Sequence, residues 1–463
     1  LQIAPDLGMV DGRKERALKV FDPARASERI YSLLTRISGA PPPRLRLWDG
    51  REIGPPTADS ILVLRHPGAF RSMLVPSTDL SAGEAYVYDD IDIEGDIFEL
   101  LRFAAGLDRS ARSTLVAIQA LTLAALLPKE GRRRPKRPRP TLTGRTHTVE
   151  RDRTAVSYHY DTGNDFFGLF LDSRMVYSCA AFLDPDEDLE TAQERKLDMI
   201  CRKLELSAGD RFLDVGCGWG ALVIHAAERY GVLATGITLS RKQAQLARER
   251  VGEAGLEDRV EILERDYREM DGEFDAIASV GMFEHVGRER LGEYFGKLRS
   301  LLAPRGQVLN HGITNRSRDI GRKREDSSFV GTYVFPDGEL RTLEETVEVS
   351  ERAGFEVRDV EALRMSYATT LEHWVANLES RRDEAIAVSN EETYRIWRVY
   401  MAGSAISFEL AAIGLYQVLL SDPERPWNHG RARLLAADDV QRSPVRAVSA
   451  SVPPSATGSP WPK

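Results

Sequence analysis

The sequence predicts an α/β protein built on a doubly wound parallel sheet, with a small α+β domain ahead of it. Three observations carry this. From residue 211 onward, short apolar runs alternate with helical patterns, the signature of parallel strands joined by crossover helices. The first run, Phe212-Leu213-Asp214-Val215, passes straight into glycines at 216, 218 and 220 and then into an amphipathic pattern over 221–229. That is a strand, a tight turn and a helix. Residues 24–110 have a different texture, with a helical start and then short apolar or alternating runs.

Within 24–110 the spacing predicts helices over 26–37 and 97–107 and strands at 61–64 and 86–88. Residues 111–150 connect the two domains. The stretch 113–127 is apolar at helical spacing and leads to Lys129 and the run Arg132-Arg133-Arg134-Pro135-Lys136-Arg137-Pro138-Arg139. Two readings stand for it: a helix packed on its own domain with a solvated linker, or a contact with anionic lipid, where each clustered Lys or Arg gains roughly 1 kcal/mol. The domain 151–425 holds strands at 211–215, 233–237, 260–263, 274–280 and 307–310, with helices at 221–229, 241–254 and 291–302. A helix at 343–353, a strand at 355–360, helices within 371–408 and a strand at 415–420 follow. The tail 443–463, rich in Ser, Pro and Ala, is expected to be disordered.

A chain of 463 residues is long enough for two or three domains. Its net charge of -8 argues against general nucleic-acid binding. Cys179, Cys201 and Cys217 show no CxxC spacing and no neighbouring histidine pair, so neither a disulfide framework nor a metal site is expected. Without a signal pattern or an apolar run of about 20 residues, a cytoplasmic protein is expected.

Glycine at 216, 218 and 220 keeps Cβ atoms away from the turn and lets a polar ligand approach the backbone. A dinucleotide site would carry a carboxylate about 20 residues on. Here that place reads Gly236-Ile237-Thr238-Leu239-Ser240. The third strand instead ends at Asp266 and Tyr267, where Asp266 is suited to accept from an adenine amino group. These features favour S-adenosylmethionine over NAD.

Around the turn the sequence resembles the cyclopropane-fatty-acyl-phospholipid synthase family, which includes the mycolic acid cyclopropane synthases. The resemblance rests on Tyr158-His159-Tyr160-Asp161 with Gly163-Asn164, Tyr177-Ser178-Cys179, the run from Asp214 to Gly220, Thr238-Leu239-Ser240 with Gln243, and Ser279-Val280-Gly281-Met282-Phe283-Glu284-His285-Val286-Gly287. It implies a Rossmann-like class I methyltransferase fold with helical insertions, and an N-terminal domain that serves lipid access and dimer contacts. It also implies methyl transfer from S-adenosylmethionine to a cis double bond in a phospholipid acyl chain, at the inner face of the cell membrane. Carried over by position, Tyr177, Ser178, Gly216, Gly218, Gly220, Thr238, Leu239 and Gln243 would line the cofactor, with Asp266, Tyr267 and Arg268 at its adenine end. Cys179, Glu284, His311, Ile313 and Tyr367 would hold a bicarbonate ion that acts as base.

An alkene attacking a sulfonium methyl leaves a carbocation, so the site must exclude water. Tyr177, Phe283, Tyr333 and Trp374 are candidates to face the cation. Trp374 and the aromatics of 394–400 are candidates for an acyl tunnel, or else ordinary core. His159 fits either a site role or a brace for its loop. Loss of a proton from the added methyl closes a cyclopropane. Hydride migration first gives a methylene branch, which a partner reductase would convert to a methyl branch. Ala180-Ala181-Phe182 departs from the glycine and aromatic that follow the cysteine in close cyclopropane synthases, so both products stay open. Two other classes are carried alongside: a methyltransferase of a small soluble acceptor, and a lipid-binding protein without activity.

Overall fold

In the computed structural model, the described residues are 21–109, 114–129, 146–160, 162–184, 186–316 and 328–426. The basic run 132–139 and the tail 443–463 lie outside them. Residues 1–425 and 426–463 separate as two units, and the account below concerns the first.

Strands β1 (Arg44–Arg46), β2 (Glu52–Ile53), β3 (Ser60–Leu64) and β4 (Ile91–Gly95) form a four-stranded sheet in the order β2-β1-β3-β4. Helices Pro23–Ser38, Asp79–Val87 and Ile97–Arg109 accompany it. The strand expected at 86–88 is instead the end of helix Asp79–Val87. Thr78 starts that helix with a capping box to Ser81, and Tyr86 is held by Arg398, whose guanidinium donates to its hydroxyl at 2.9 Å. Three alternating residues cannot outweigh a cap and a buried anchor.

The larger sheet comprises β5 (Arg211–Val215), β6 (Leu233–Thr238), β7 (Val260–Glu264), β8 (Phe274–Val280), β9 (Leu302–Asn315), the short β10 (Arg341–Thr342), β11 (Glu356–Ala362) and β12 (Ile413–Ser421). Its order is β11-β12-β9-β8-β5-β6-β7, with β10 beside β9. The strands from β7 to β9 run parallel, as the alternating pattern predicts. β12 and β11 close one edge antiparallel. Between them the chain makes helices Arg364–Ser380, Arg382–Val388 and Glu391–Glu409, which supply apolar and aromatic side chains above the sheet.

From β5 the chain moves outward to β6 and β7, then returns to place β8 on the other side of β5. This reversal opens a crevice at the carboxyl ends of the strands, the usual ligand position in such sheets. One apolar core joins the N-terminal sheet to the helices above the crevice, taking in Leu62, Tyr86, Phe103, Trp374, Trp397 and Phe408.

Candidate active site

The turn after β5 takes its shape from its glycines. Gly216, Gly218 and Gly220 have φ of 85°, 54° and 86°, a region that costs other residues roughly 1–2 kcal/mol each. The amides of Gly216 and Cys217 donate to Ile237 O at 3.0 and 2.9 Å, pinning the turn to β6. A Cβ on Gly218 would meet no protein atom within 4 Å; that side of the turn is open. Trp219 Nε1 donates to Asn164 Oδ1 at 2.9 Å, fixing the far side. After β6, Ser240 caps helix Arg241–Glu253, and the Thr238 hydroxyl donates to Gln243 Oε1 at 2.8 Å.

These elements surround a mainly apolar cavity of ≈ 470 Å³. Every residue named above for the cofactor lines it except Gly220, and so do Cys179, Glu284, His311, Ile313 and Tyr367. The open backbone at Gly218 fits S-adenosylmethionine.

The buried polar groups are unusual in what they leave unpaired. Glu284 follows β8 in a short 3-10 turn, and its Oε1 accepts from the Ile313 amide at 2.7 Å. Its Oε2 has no partner among the described residues, and burial raises its pKa to about 7. His311 on β9 faces Gln417 on β12, with Nδ1 3.2 Å from Gln417 Nε2; its Nε2 is buried without a partner among the described residues. Burial lowers the ring's pKa to about 3, so His311 is neutral. Cys179 donates its thiol to Ala180 O at 3.0 Å, and burial pushes that thiol up, so it is not a thiolate.

Two neighbours went unrecognised in the sequence. Lys196, on helix Leu189–Lys203, is buried in the cavity wall and donates to Ser178 Oγ at 2.9 Å; burial lowers its pKa to about 8. Asp214 on β5 also lines the cavity, its Oδ1 unpaired among the described residues, and burial raises its pKa to about 7 against the opposing pull of Lys196. Nothing local in sequence marks Lys196 as buried. Its burial comes from tertiary placement, against Ser178 and near Asp214. Tyr160 and Tyr400 likewise line the cavity.

Several candidates sit elsewhere or are already engaged. Phe283 is buried beside the cavity, packed so tightly on β9 that a Cβ at Gly312 would come within 2.1 Å of its ring. Tyr333 points at helix Asp79–Val87, donating to Glu84 Oε1 at 2.9 Å. Neither lines the cavity. Trp374 stands behind Tyr177, stacked at 5.2 Å and 27°. His159, in the last turn of helix Val149–Tyr160, is held against the segment after Tyr333: Nδ1 lies 2.9 Å from Val334 O, and the ring stacks on Phe335 at 4.2 Å. Asp266 has both oxygens engaged by the Arg268 guanidinium at 2.7 Å. Arg268 also reaches Asp152 Oδ2 at 2.8 Å, tying helix Val149–Tyr160 to the segment after β7. The Ile313 amide belongs to Glu284.

Residues 147–418 match the family model for mycolic acid cyclopropane synthetase. A probable fatty acid methyltransferase of Pseudomonas putida is 42% identical over 395 residues, covering 84% of this chain and 94% of that protein. The cyclopropane-fatty-acyl-phospholipid synthase of Escherichia coli strain K12 is 39% identical over 263 residues, 57% of this chain and 66% of that one. Among solved structures, mycolic acid cyclopropane synthase CmaA1 complexed with SAH and CTAB is 35% identical, with a TM-score of 0.55 over 58% of this chain and 98% of that chain. The glycine turn at a sheet reversal, the cavity above it and these likenesses agree: the chain belongs to the mycolic acid cyclopropane synthetase family, S-adenosylmethionine-dependent methyltransferases that cyclopropanate or methylate lipid acyl chains.

Proposed function

We propose that this enzyme transfers a methyl(ene) group from S-adenosylmethionine to the cis double bond of an unsaturated phospholipid acyl chain through a carbocation, with bicarbonate as base. One observation carries the reading. Glu284 Oε2 and His311 Nε2 are both buried without partners among the described residues, and both residues line one mainly apolar cavity. Leaving two such groups unpaired costs a few kcal/mol, a cost offset when a small oxyanion binds between them.

The turn residues with Tyr177, Ser178, Thr238, Leu239 and Gln243 would hold S-adenosylmethionine, which supplies an electrophilic methyl group. Cys179, Glu284, His311 and Tyr367 would hold bicarbonate, which supplies a proton acceptor. The chain's own groups then do three things. Leu371, Phe408, Ile413 and Leu415 wall the cavity with hydrocarbon, keeping water from a cation. Tyr160, Tyr177, Tyr367 and Tyr400 line the same space, and ring faces attract positive charge. Glu284, poised near pH 7 by burial, keeps a proton at Oε2 that a bound oxyanion can share.

Incubation with methyl-labelled S-adenosylmethionine and vesicles of monounsaturated phospholipid tests this. The expected product carries label in the acyl chain and has gained one CH2, and ozonolysis separates a ring from a methylene branch. A methylene product calls for a partner reductase. Label in a small soluble metabolite and none in lipid would overturn the proposal.

A further inference from the structure

Behind His311 a line of side chains runs to the protein surface, and the reaction proposed above makes no use of it. Gln417 lies opposite His311 in the β9/β12 register. The carbonyl end of its amide, Oε1, accepts from Lys203 Nζ at 2.8 Å. Lys203 is the last residue of helix Leu189–Lys203 and is buried. Its ammonium also pairs with Glu361 and lies 3.7 Å from Asp359, both on β11. Those two carboxylates are 40% and 39% exposed.

An ammonium held by carboxylates has three donors and no acceptor, so only the carbonyl end of Gln417 can face it. The orientation of the amide is thereby set without reference to the histidine. Its NH2 end points at His311 Nδ1 across 3.2 Å. An amide NH2 donates, so Nδ1 must accept. The neutral ring's single proton then sits on Nε2, the nitrogen left for the cavity that Glu284 shares.

We propose that Lys203 and Gln417 are positioning residues that lock His311 as its Nε2–H tautomer, so that it enters the site as a hydrogen-bond donor to an anion and not as a base. Only the anion's identity rests on the bicarbonate reading; the tautomer does not. Proton acceptance is thereby left to the anion itself, with Glu284 beside it.

Histidine-selective 15N spectra of the full chain test this, the His311 signals being assigned by their loss in His311→Asn. The expected wild-type spectrum shows Nε2 protonated and Nδ1 unprotonated from pH 6 to 8. A wild-type His311 protonated on Nδ1 overturns the proposal with no variant needed. In Lys203→Met the amide is free to rotate, and mixed tautomers are expected, together with a loss of roughly tenfold or more in kcat at unchanged KM for S-adenosylmethionine. Lys203→Arg keeps a donor at that place and should restore both the spectrum and the rate. Gln417→Glu presents only acceptors and should move the proton to Nδ1. A changed spectrum with unchanged turnover would defeat the donor role. Wild-type protein that labels no lipid but shows the Nε2–H signal would instead count against the phospholipid reaction alone.

Discussion

Glu284 has one oxygen fixed by the Ile313 amide and the other without a partner among the described residues, and burial raises its pKa to about 7. The sign of its effect on stability follows. Between its ordinary value near 4.5 and its folded value near 7, the folded protein binds more protons here than the unfolded chain does. Its contribution to stability is therefore full at low pH and is lost as pH rises through about 7. A displacement of that size corresponds to on the order of 3 kcal/mol. Asp214 is shifted in the same direction, so wild type alone cannot separate the two. Glu284→Gln keeps the acceptor for Ile313 and removes the charge. The difference in Tm between wild type and variant should shift in the variant's favour from pH 5 to pH 8, as followed by thermal melts. In turnover the same variant should lose roughly 10²–10⁴ in kcat, with the dissociation constant for S-adenosylmethionine within about twofold, and the pH–rate inflection near 7 should vanish. An unchanged inflection would assign it to another group.

At the scale of elements, the sheet was legible because its strands are short apolar runs ending in glycine, Thr-Leu-Ser or Asp, and its helices begin with caps such as Ser240. The site was legible where chemistry follows an apolar run, as with Glu284 after 274–280 and His311 after 307–310. It was not legible where topology does the placing. Lys196 falls in a stretch to which the sequence assigns no element, and Tyr86 reads as part of a strand until helix Glu391–Glu409 brings Arg398 against it. The antiparallel edge that sets Gln417 against His311 is equally invisible to local pattern, because an apolar run does not state its direction. The turn after β5 offers a clean test of element against ligand. In Gly218→Ala the new methyl meets no protein atom within 4 Å, so its stability cost is limited to the positive φ, about 1–2 kcal/mol, while the methyl projects into open space on the turn. In Gly220→Ala the methyl meets Ala247 Cβ at 3.2 Å, away from the cavity. Calorimetric titration should show Gly218→Ala weakening S-adenosylhomocysteine binding by roughly tenfold or more, and Gly220→Ala weakening it less for an equal or greater loss of Tm. Equal affinity losses would place the ligand elsewhere on the turn.

For the whole molecule, the proposed phospholipid substrate poses the question of how an enzyme with a net charge of -8 would reach an acyl chain in a bilayer. Among the described residues no helix is long and apolar enough to cross a membrane. Helix Thr114–Leu126 has no charged residue; one side packs Ala120 and Ala124 into the N-terminal core, and the other leaves Leu115, Ile118 and Leu126 exposed by 77%, 52% and 60%. At spacings of three and eleven these three side chains share a face. The six basic residues of 132–139 follow closely in sequence and concentrate positive charge against the sign of the molecule. On the proposal that this face meets anionic lipid, apolar insertion and electrostatic attraction would add, the first independent of salt and the second screened by it. Replacing Leu115, Ile118 and Leu126 by Ser should weaken sedimentation with anionic vesicles and leave its salt dependence steep. Replacing Arg132, Arg133, Arg134, Lys136, Arg137 and Arg139 by Gln should weaken it and flatten that dependence, since each basic residue near such a surface contributes roughly 1 kcal/mol. Turnover of detergent-dispersed substrate should survive both sets of changes. If vesicle binding is unaltered in both variants, the helix is a packing element, the run is a linker, and the lipid must be reached through another face.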